Sequence, residues 1–148
     1  MKKFLMLIAI ITLTVCLTGC FGKKQDLVCN IDQSSSLYGL GTLKSEITSH
    51  FVGNEIKTMD ITMNMEITKS DYADKMIESA KPTFNDVCSN GLNGIKVSTC
   101  DVKKDGNTLS LKGTIEEKDI KDRKDKKGDI EATKKDLEKQ GYTCTIKD

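Results

Sequence analysis

The chain has 148 residues, with 23 basic and 22 acidic side chains, 37% hydrophobic and 5% aromatic residues, no Trp and one Pro. This length allows one domain with a substantial core and excludes a multi-domain enzyme. The balanced charge gives no electrostatic basis for nucleic-acid binding, and the few aromatic side chains leave little surface for stacking against bases. We therefore expect one folded domain that does not bind nucleic acid.

The first 20 residues have the pattern of an export signal. Lys2 and Lys3 precede an apolar stretch over residues 4–17, which is interrupted by two threonines. This stretch is shorter than the about 20 residues that a transmembrane helix needs, and it suits the apolar region of a signal peptide. It ends in the tetrad Leu17-Thr18-Gly19-Cys20. That tetrad resembles the lipobox of bacterial lipoproteins.

In a lipobox the cysteine thiol is acylated and the peptide is cut just before it. The resemblance implies a removed signal peptide at 1–19, cleavage between Gly19 and Cys20, and lipidation of Cys20. We then expect a lipidated tether at 20–26 and a single extracytoplasmic domain at 27–148, held on the outer side of the cell membrane by the lipid. An uncleaved membrane anchor and an ordinary secretory signal are the alternatives.

Four cysteines follow the tetrad, namely Cys29, Cys88, Cys100 and Cys144. An even number in a small exported domain favours disulfides, although four cysteines allow three pairings. Cys29 and Cys144 fall on alternating, core-facing positions near the two ends of the domain, and a short loop separates Cys88 from Cys100. We therefore predict Cys29 with Cys144 and Cys88 with Cys100. The sequence has no Cys-x-x-Cys pair and one histidine, which argues against a metal site and a redox-active dithiol.

Hydrophobic periodicity and turn residues predict the elements along the chain. They are a strand at 27–32, a loop at 33–41, a hairpin of strands 42–52 and 55–67, a helix from Ser70 to Cys88, a hairpin of strands 95–103 and 108–116, a charged segment at 116–131, a helix after Asp129, and a strand at 142–147. Ser70 is expected to cap the first helix. Pro82 is expected to kink or restart it, because proline has no N–H to donate. Gly113 is expected to mark a β-bulge.

Strands joined by hairpins, without helical crossovers, predict an α+β fold. We expect an antiparallel β-sheet of about five or six strands, including two hairpins, with two helices packed on one face. Several segments resemble the small YehR-like lipoproteins of bacteria: the lipobox lead, the Gly53-Asn54 hairpin, the helix start Asp71-Tyr72-Ala73, the Asp105-Gly106-Asn107 turn and the end Gly141-Tyr142-Thr143-Cys144. This resemblance implies architecture and location, and it implies no chemistry.

His50 is the single histidine of the chain. It alternates with Lys44, Glu46 and Thr48 on one strand face, which is typical of a surface side chain. No nucleophile and orienting group lie near it in the sequence, so the pattern does not predict a general base.

A group of methionines is the one other feature with a possible chemical role. Met59, Met63, Met65 and Met76 indicate core packing, with an adaptable apolar binding surface or a soft metal site as the alternatives. We expect a non-enzymatic lipoprotein without cofactor or metal, acting as a binding module for an envelope protein or a small apolar ligand. The alternatives are an accessory structural subunit of an envelope complex and an enzyme whose site is not visible in the sequence.

Overall fold

A computed structural model describes residues 22–91, 95–121 and 129–148. The elements are β1 (Lys24–Asp32), a 3-10 turn (Ser34–Leu37), β2 (Gly41–Val52), β3 (Glu55–Ile67), α1 (Ser70–Asn90), β4 (Thr99–Asp105), β5 (Thr108–Glu116), α2 (Glu117–Lys121), α3 (Ile130–Lys139) and β6 (Thr143–Lys147). The predicted signal peptide at 1–19 and the lipidation site Cys20 lie outside the described residues. In the described part of the chain, no helix has the length and apolar character needed to cross a bilayer.

The six strands form one antiparallel sheet in the order β4-β5-β3-β2-β1-β6. A sheet of this kind with helices confirms the α+β class. The described residues include three α-helices where two were predicted, because α2 lies in the segment expected to be a charged loop. Glu117 and Asp119 stand in its first turn, where negative charge stabilises a helix, and Ile120 is buried.

Direct cross-strand partners point to the same side of a sheet, so the register divides this sheet into two faces. The core face carries the buried apolar strand residues and Ser49, namely Leu27, Cys29, Ile47, Ser49, Phe51, Ile61, Met65, Ile67, Leu109, Leu111, Ile115 and Cys144. The opposite face, called the polar face below, carries alternate residues of all six strands. None of the described side chains on the polar face is buried.

Buried side chains form two clusters. One joins Ala73, Ile77 and Phe84 of α1 to residues of β3 and β5. The other joins Ile130, the first residue of α3, to residues of β1, β2 and β6. Both clusters use the core face, so the apolar stripes of the helices and the alternating apolar residues of the strands are buried together.

Two expectations about α1 are wrong, namely the restart at Pro82 and the cap at Ser70. The helix runs without a break through Pro82. Pro82 is exposed, whereas Ile77 before it and Phe84 after it are buried. Burying these two side chains contributes about 1.5–3 kcal/mol each, which offsets the about 3 kcal/mol cost of an interior proline. Ser70 is the first helical residue and not the cap, because Lys69 occupies the N-cap without a side-chain hydrogen bond.

The expected bulge at Gly113 is also wrong. Gly113 pairs in register with Ile61 of β3 and Cys100 of β4. A Cβ atom at this position would lie 2.8 Å from Cγ1 of Val97, so close packing explains the glycine. The irregularity in the sheet lies between His50 and Phe51 in the β2–β3 ladder.

The first strand begins earlier than predicted. β1 starts at Lys24, inside the segment 20–26 that was expected to be a tether. The carbonyl of Lys23 accepts a hydrogen bond from the N–H of Gly53 at 2.9 Å. The Nζ of Lys23 lies 2.6 Å from a carboxylate oxygen of Asp148. Polar residues extend this strand because they pair with β2. The apolar alternation of residues 27–31 does not reveal that pairing.

Candidate functional site

The structure contains both disulfides that the strand positions favour. Cys29 and Cys144 are direct cross-strand partners on β1 and β6, with Cα atoms 4.1 Å apart. Cys88, near the end of α1, is joined to Cys100 on β4, with Cα atoms 5.4 Å apart. These bridges use every cysteine of the described residues, so no thiol is available there as a ligand or nucleophile.

A group of interacting charges from three strands lies on the polar face, where β1, β2 and β3 run side by side. His50 of β2 is directly opposite Asp26 of β1, and its Nδ1 lies 2.7 Å from Asp26 Oδ1. Its Nε2 lies 3.0 Å from Oδ2 of Asp60. Asp60 is the partner of Thr48 and is therefore diagonal to His50. The β-bulge directly after His50 increases the local twist, which favours this diagonal contact.

The imidazole of His50 therefore lies between two carboxylates. An ionised carboxylate only accepts hydrogen bonds, so both contacts form when the ring carries a proton on each nitrogen. The hydrogen bond to Asp60 raises the pKa of His50 above its ordinary value, partial burial opposes this, and the hydrogen bond to Asp26 adds to the increase. The site thus stabilises the imidazolium form.

Asp60 extends the group to a fourth strand. Its Oδ1 accepts a hydrogen bond from the Thr114 hydroxyl of β5 at 2.8 Å. Partial burial raises the pKa of Asp60, but the hydrogen bonds from His50 and Thr114 outweigh it and leave the pKa below its ordinary value. Both oxygens of this carboxylate therefore have fixed donors. We call Asp26, His50, Asp60 and Thr114 the His50 cluster.

A shallow depression of about 270 Å³ lies beside the His50 cluster. It is lined by Asp60, Ile61, Thr62, Thr99, Lys112, Gly113 and Thr114. Its polar groups are hydroxyls, one ammonium and the Asp60 carboxylate. A larger open hollow of about 670 Å³ lies at the β2–β3 turn and is lined by Val52, Gly53, Asn54, Glu55 and Asp129.

The geometry of the His50 cluster determines what it can do chemically. With both ring nitrogens donating, the imidazole has no lone pair with which to accept a proton or bind a metal. Asp26 and Asp60 lie at the two different nitrogens and do not converge on one point. In the described residues no three His, Cys, Asp or Glu side chains are placed to hold a metal ion. The cluster offers fixed charges and a cross-link between strands.

Sequence reasoning placed His50 on a surface and did not find its partners. The side chain is 36% exposed, so it does lie at the surface, but its partners come from two other strands. The contact between Asp60 and His50 was readable from the β2–β3 hairpin, because the turn of that hairpin fixes the register of the two strands. The methionines do what core packing predicts: Met65 is buried, and Met59, Met63 and Met76 pack against the larger cluster.

Comparison with known proteins gives no family for this chain. No protein-family model, no curated protein and no solved structure matches it. The resemblance to the YehR-like lipoproteins stays a prediction. Function must therefore be argued from the chain and its polar face.

Proposed function

We propose that this protein is a lipid-anchored extracytoplasmic lipoprotein, without catalytic activity of its own, that binds an envelope protein through its polar face. The observation that carries the proposal is the difference between the two faces of the sheet. The core face holds both buried clusters, whereas the polar face has no buried side chain among the described residues. In this proposal α1 and α3 cover the core face and leave the polar face available.

The polar face has the properties of a preorganised binding surface. The His50 cluster fixes side chains from four strands, and ordered polar groups lose less conformational freedom when a partner binds. Mixed charges and hydroxyls suit a hydrated protein surface with complementary charges. They suit a small apolar ligand less well, because such ligands need an apolar pocket.

The start of the fold supports a position close to the membrane. Lys24 begins β1 four residues after Cys20. Even a fully extended segment of that length spans only about 14 Å. A lipid on Cys20 would therefore hold the domain directly beside the bilayer, where a membrane-associated partner is within reach.

The anchor is tested with two cysteine variants of the full chain. We expect wild-type protein and Cys16→Ala to partition into detergent and to give an intact mass that starts at an acylated Cys20. Cys20→Ala should leave an unacylated precursor that does not show this mass. Cys16 lies four residues upstream and controls for loss of a thiol. Normal acylation and processing of Cys20→Ala would contradict the lipoprotein assignment.

The binding face is tested by site-specific photo-crosslinking in intact envelopes. A photoreactive amino acid replaces Lys112 or Glu46 on the polar face, and Lys75 or Lys135 on exposed helix positions serves as the matched control. We expect a discrete protein adduct from the polar-face positions and none from the helix positions. Adducts from the helices alone, or from no position, would reject the polar face as the binding surface.

A further inference from the structure

His50 of the polar face contacts a carboxylate at each of its two ring nitrogens. Its two nitrogens contact carboxylates that lie 24 residues before it and 10 residues after it in the chain. One ring thereby connects the side chains of β1, β2 and β3. Thr114 continues the connection from Asp60 to β5.

We propose that His50 is a proton-operated clasp on the polar face, which holds Asp26 and Asp60 together when protonated and releases one of them when it loses a proton. The inference deepens the proposed function, because it assigns a regulation to the same face. The clasp itself is a property of the domain and does not require a partner.

The chemistry of imidazole gives the clasp its two states. The protonated ring has two N–H groups, and each donates to one carboxylate. The neutral ring has one N–H group and one lone pair, so it can donate to only one carboxylate. The lone pair then faces the oxygen of the other carboxylate, and that contact becomes repulsive. The net charge of Asp26, His50 and Asp60 changes from −1 to −2 at the same step.

The neighbouring charged side chains leave this change in net charge uncompensated at the surface. On β1 and β6 the flanking cations are Lys24 and Lys147, and Lys147 is the cross-strand partner of Asp26. On β2 the charged side chains of the same face are the cation Lys44 and the anion Glu46. On β3 the direct partner of His50 is the neutral Thr58, and Lys57 at the bulge is paired with Glu55 and Glu117. On β5, Glu116 is paired with Lys118, and Lys112 lines the depression.

These neighbours do not replace the protonated ring. Among the described residues, Asp26 and Asp60 both form an ion pair with His50, and neither forms one with Lys24, Lys44, Lys112 or Lys147. Loss of the proton therefore removes the one positive charge in contact with both carboxylates. The raised pKa of His50 places this change above pH 6.5.

The clasp is tested by NMR on the detergent-extracted full chain labelled in the histidine ring. Because the sequence has one histidine, the ring signals need no assignment. We expect His50 to titrate above pH 6.5, with both nitrogens protonated below the midpoint. Asp60→Asn and Asp26→Asn should each lower the midpoint. The control Asp101→Asn, which removes a carboxylate of the same face that pairs with Lys103, should leave it unchanged.

The same samples separate the clasp from the proposed function. Titration at or below pH 6.5, or a midpoint unaffected by Asp60→Asn, would overturn the clasp, whatever the crosslinking result. If the clasp titrates as expected, adduct yield from the Lys112 position should change with the same midpoint and become independent of pH in His50→Gln. An adduct yield that does not depend on pH in wild-type protein would overturn the regulatory role of His50. Titration as expected without any adduct would leave the clasp supported and reject the binding function.

Discussion

Cys29 and Cys144 face each other across the β1–β6 ladder, and their disulfide fastens one edge strand of the sheet. The Cys88–Cys100 disulfide fastens the other edge strand, β4, to α1. Edge strands carry unpaired backbone groups and are the sites where a sheet recruits other chains. Each edge of this sheet is therefore covalently held to an element that lies further inside the fold.

The two disulfides should contribute unequally to stability. Their sequence separations are 115 and 12 residues. Loop-closure entropy in the unfolded chain then gives about 5 kcal/mol for Cys29–Cys144 and about 3 kcal/mol for Cys88–Cys100. We expect Cys29→Ala with Cys144→Ala to lower the free energy of unfolding more than Cys88→Ala with Cys100→Ala. Urea unfolding followed by circular dichroism measures both, and the reverse order would contradict the entropic explanation.

Stability should depend on pH in a direction set by the His50 cluster. The pKa of His50 is raised above 6.5 in the folded state, so its contribution is complete below pH 6.5 and is lost as the pH rises through the folded-state pKa. The pKa of Asp60 is lowered below 3.8, so its contribution is present above pH 3.8 and is lost as the pH falls. The joint contribution of His50 and Asp60 to stability is therefore greatest between pH 3.8 and pH 6.5.

Urea unfolding at pH 5.5, 7.0 and 8.5 measures this dependence. We expect wild-type stability to fall across the series and His50→Gln to show a flatter profile, because glutamine does not titrate. Asp101→Asn serves as the control, since it leaves the His50 cluster intact. Equal slopes for wild type and His50→Gln would show that other groups cause the dependence.

Ser49 is a buried hydroxyl without a hydrogen-bond partner in the described structure. An unsatisfied buried polar group costs about 1–3 kcal/mol. Replacing it removes that cost at little loss of packing, so we expect Ser49→Ala to be neutral or up to about 1 kcal/mol more stable than wild type. Thermal and urea unfolding measure the change.

Ser98 provides the matched comparison for Ser49. Its hydroxyl donates to a carboxylate oxygen of Asp119 and accepts from the N–H of Glu116 at 3.0 Å. Ser98→Ala should therefore lower the free energy of unfolding by about 1–2 kcal/mol. A loss of that size in Ser49→Ala would mean that the Ser49 hydroxyl is satisfied after all.

Gly113→Ala should destabilise the domain by crowding the space between β5 and the segment before β4. The added methyl group would lie 2.8 Å from Val97 Cγ1 and 3.3 Å from the carbonyl oxygen of Thr99. Overpacking of this kind typically costs about 1–3 kcal/mol. The cost should be smaller in a Val97→Ala background, where the nearest atom is gone, and a double-mutant cycle measures the difference. Equal costs in both backgrounds would exclude Val97 as the cause.

Local patterns predicted much of the fold. The alternation of residues 55–67 and the Gly53-Asn54 turn predicted the β2–β3 hairpin, and the observed β3 has the same bounds. The apolar stripe of α1 includes its buried residues Ala73, Ile77 and Phe84, but it also includes Tyr72, which is exposed. These signals are readable because alternation and helical periodicity are properties of neighbouring residues in the chain.

The errors occurred where partners distant in sequence determine the outcome. Pro82 predicted a break, but core contacts on both sides of it keep α1 continuous. Gly113 predicted a bulge because the sequence around a glycine in a strand does not show which residues pack against it. The charged residues 117–121 gave no clear pattern, yet they form α2, whose Ile120 is buried.

Local sequence patterns were enough to predict the α+β class, the positions of the six described strands to within a few residues, and the cysteine pairs that form the observed bridges. The strand order, the start of β1 at Lys24 and the placement of His50 between Asp26 and Asp60 became visible in the folded sheet alone. The reason is physical: the face of a residue follows from its place in one strand, whereas a contact between three strands depends on their order, register and twist. Those are settled by packing of the whole sheet.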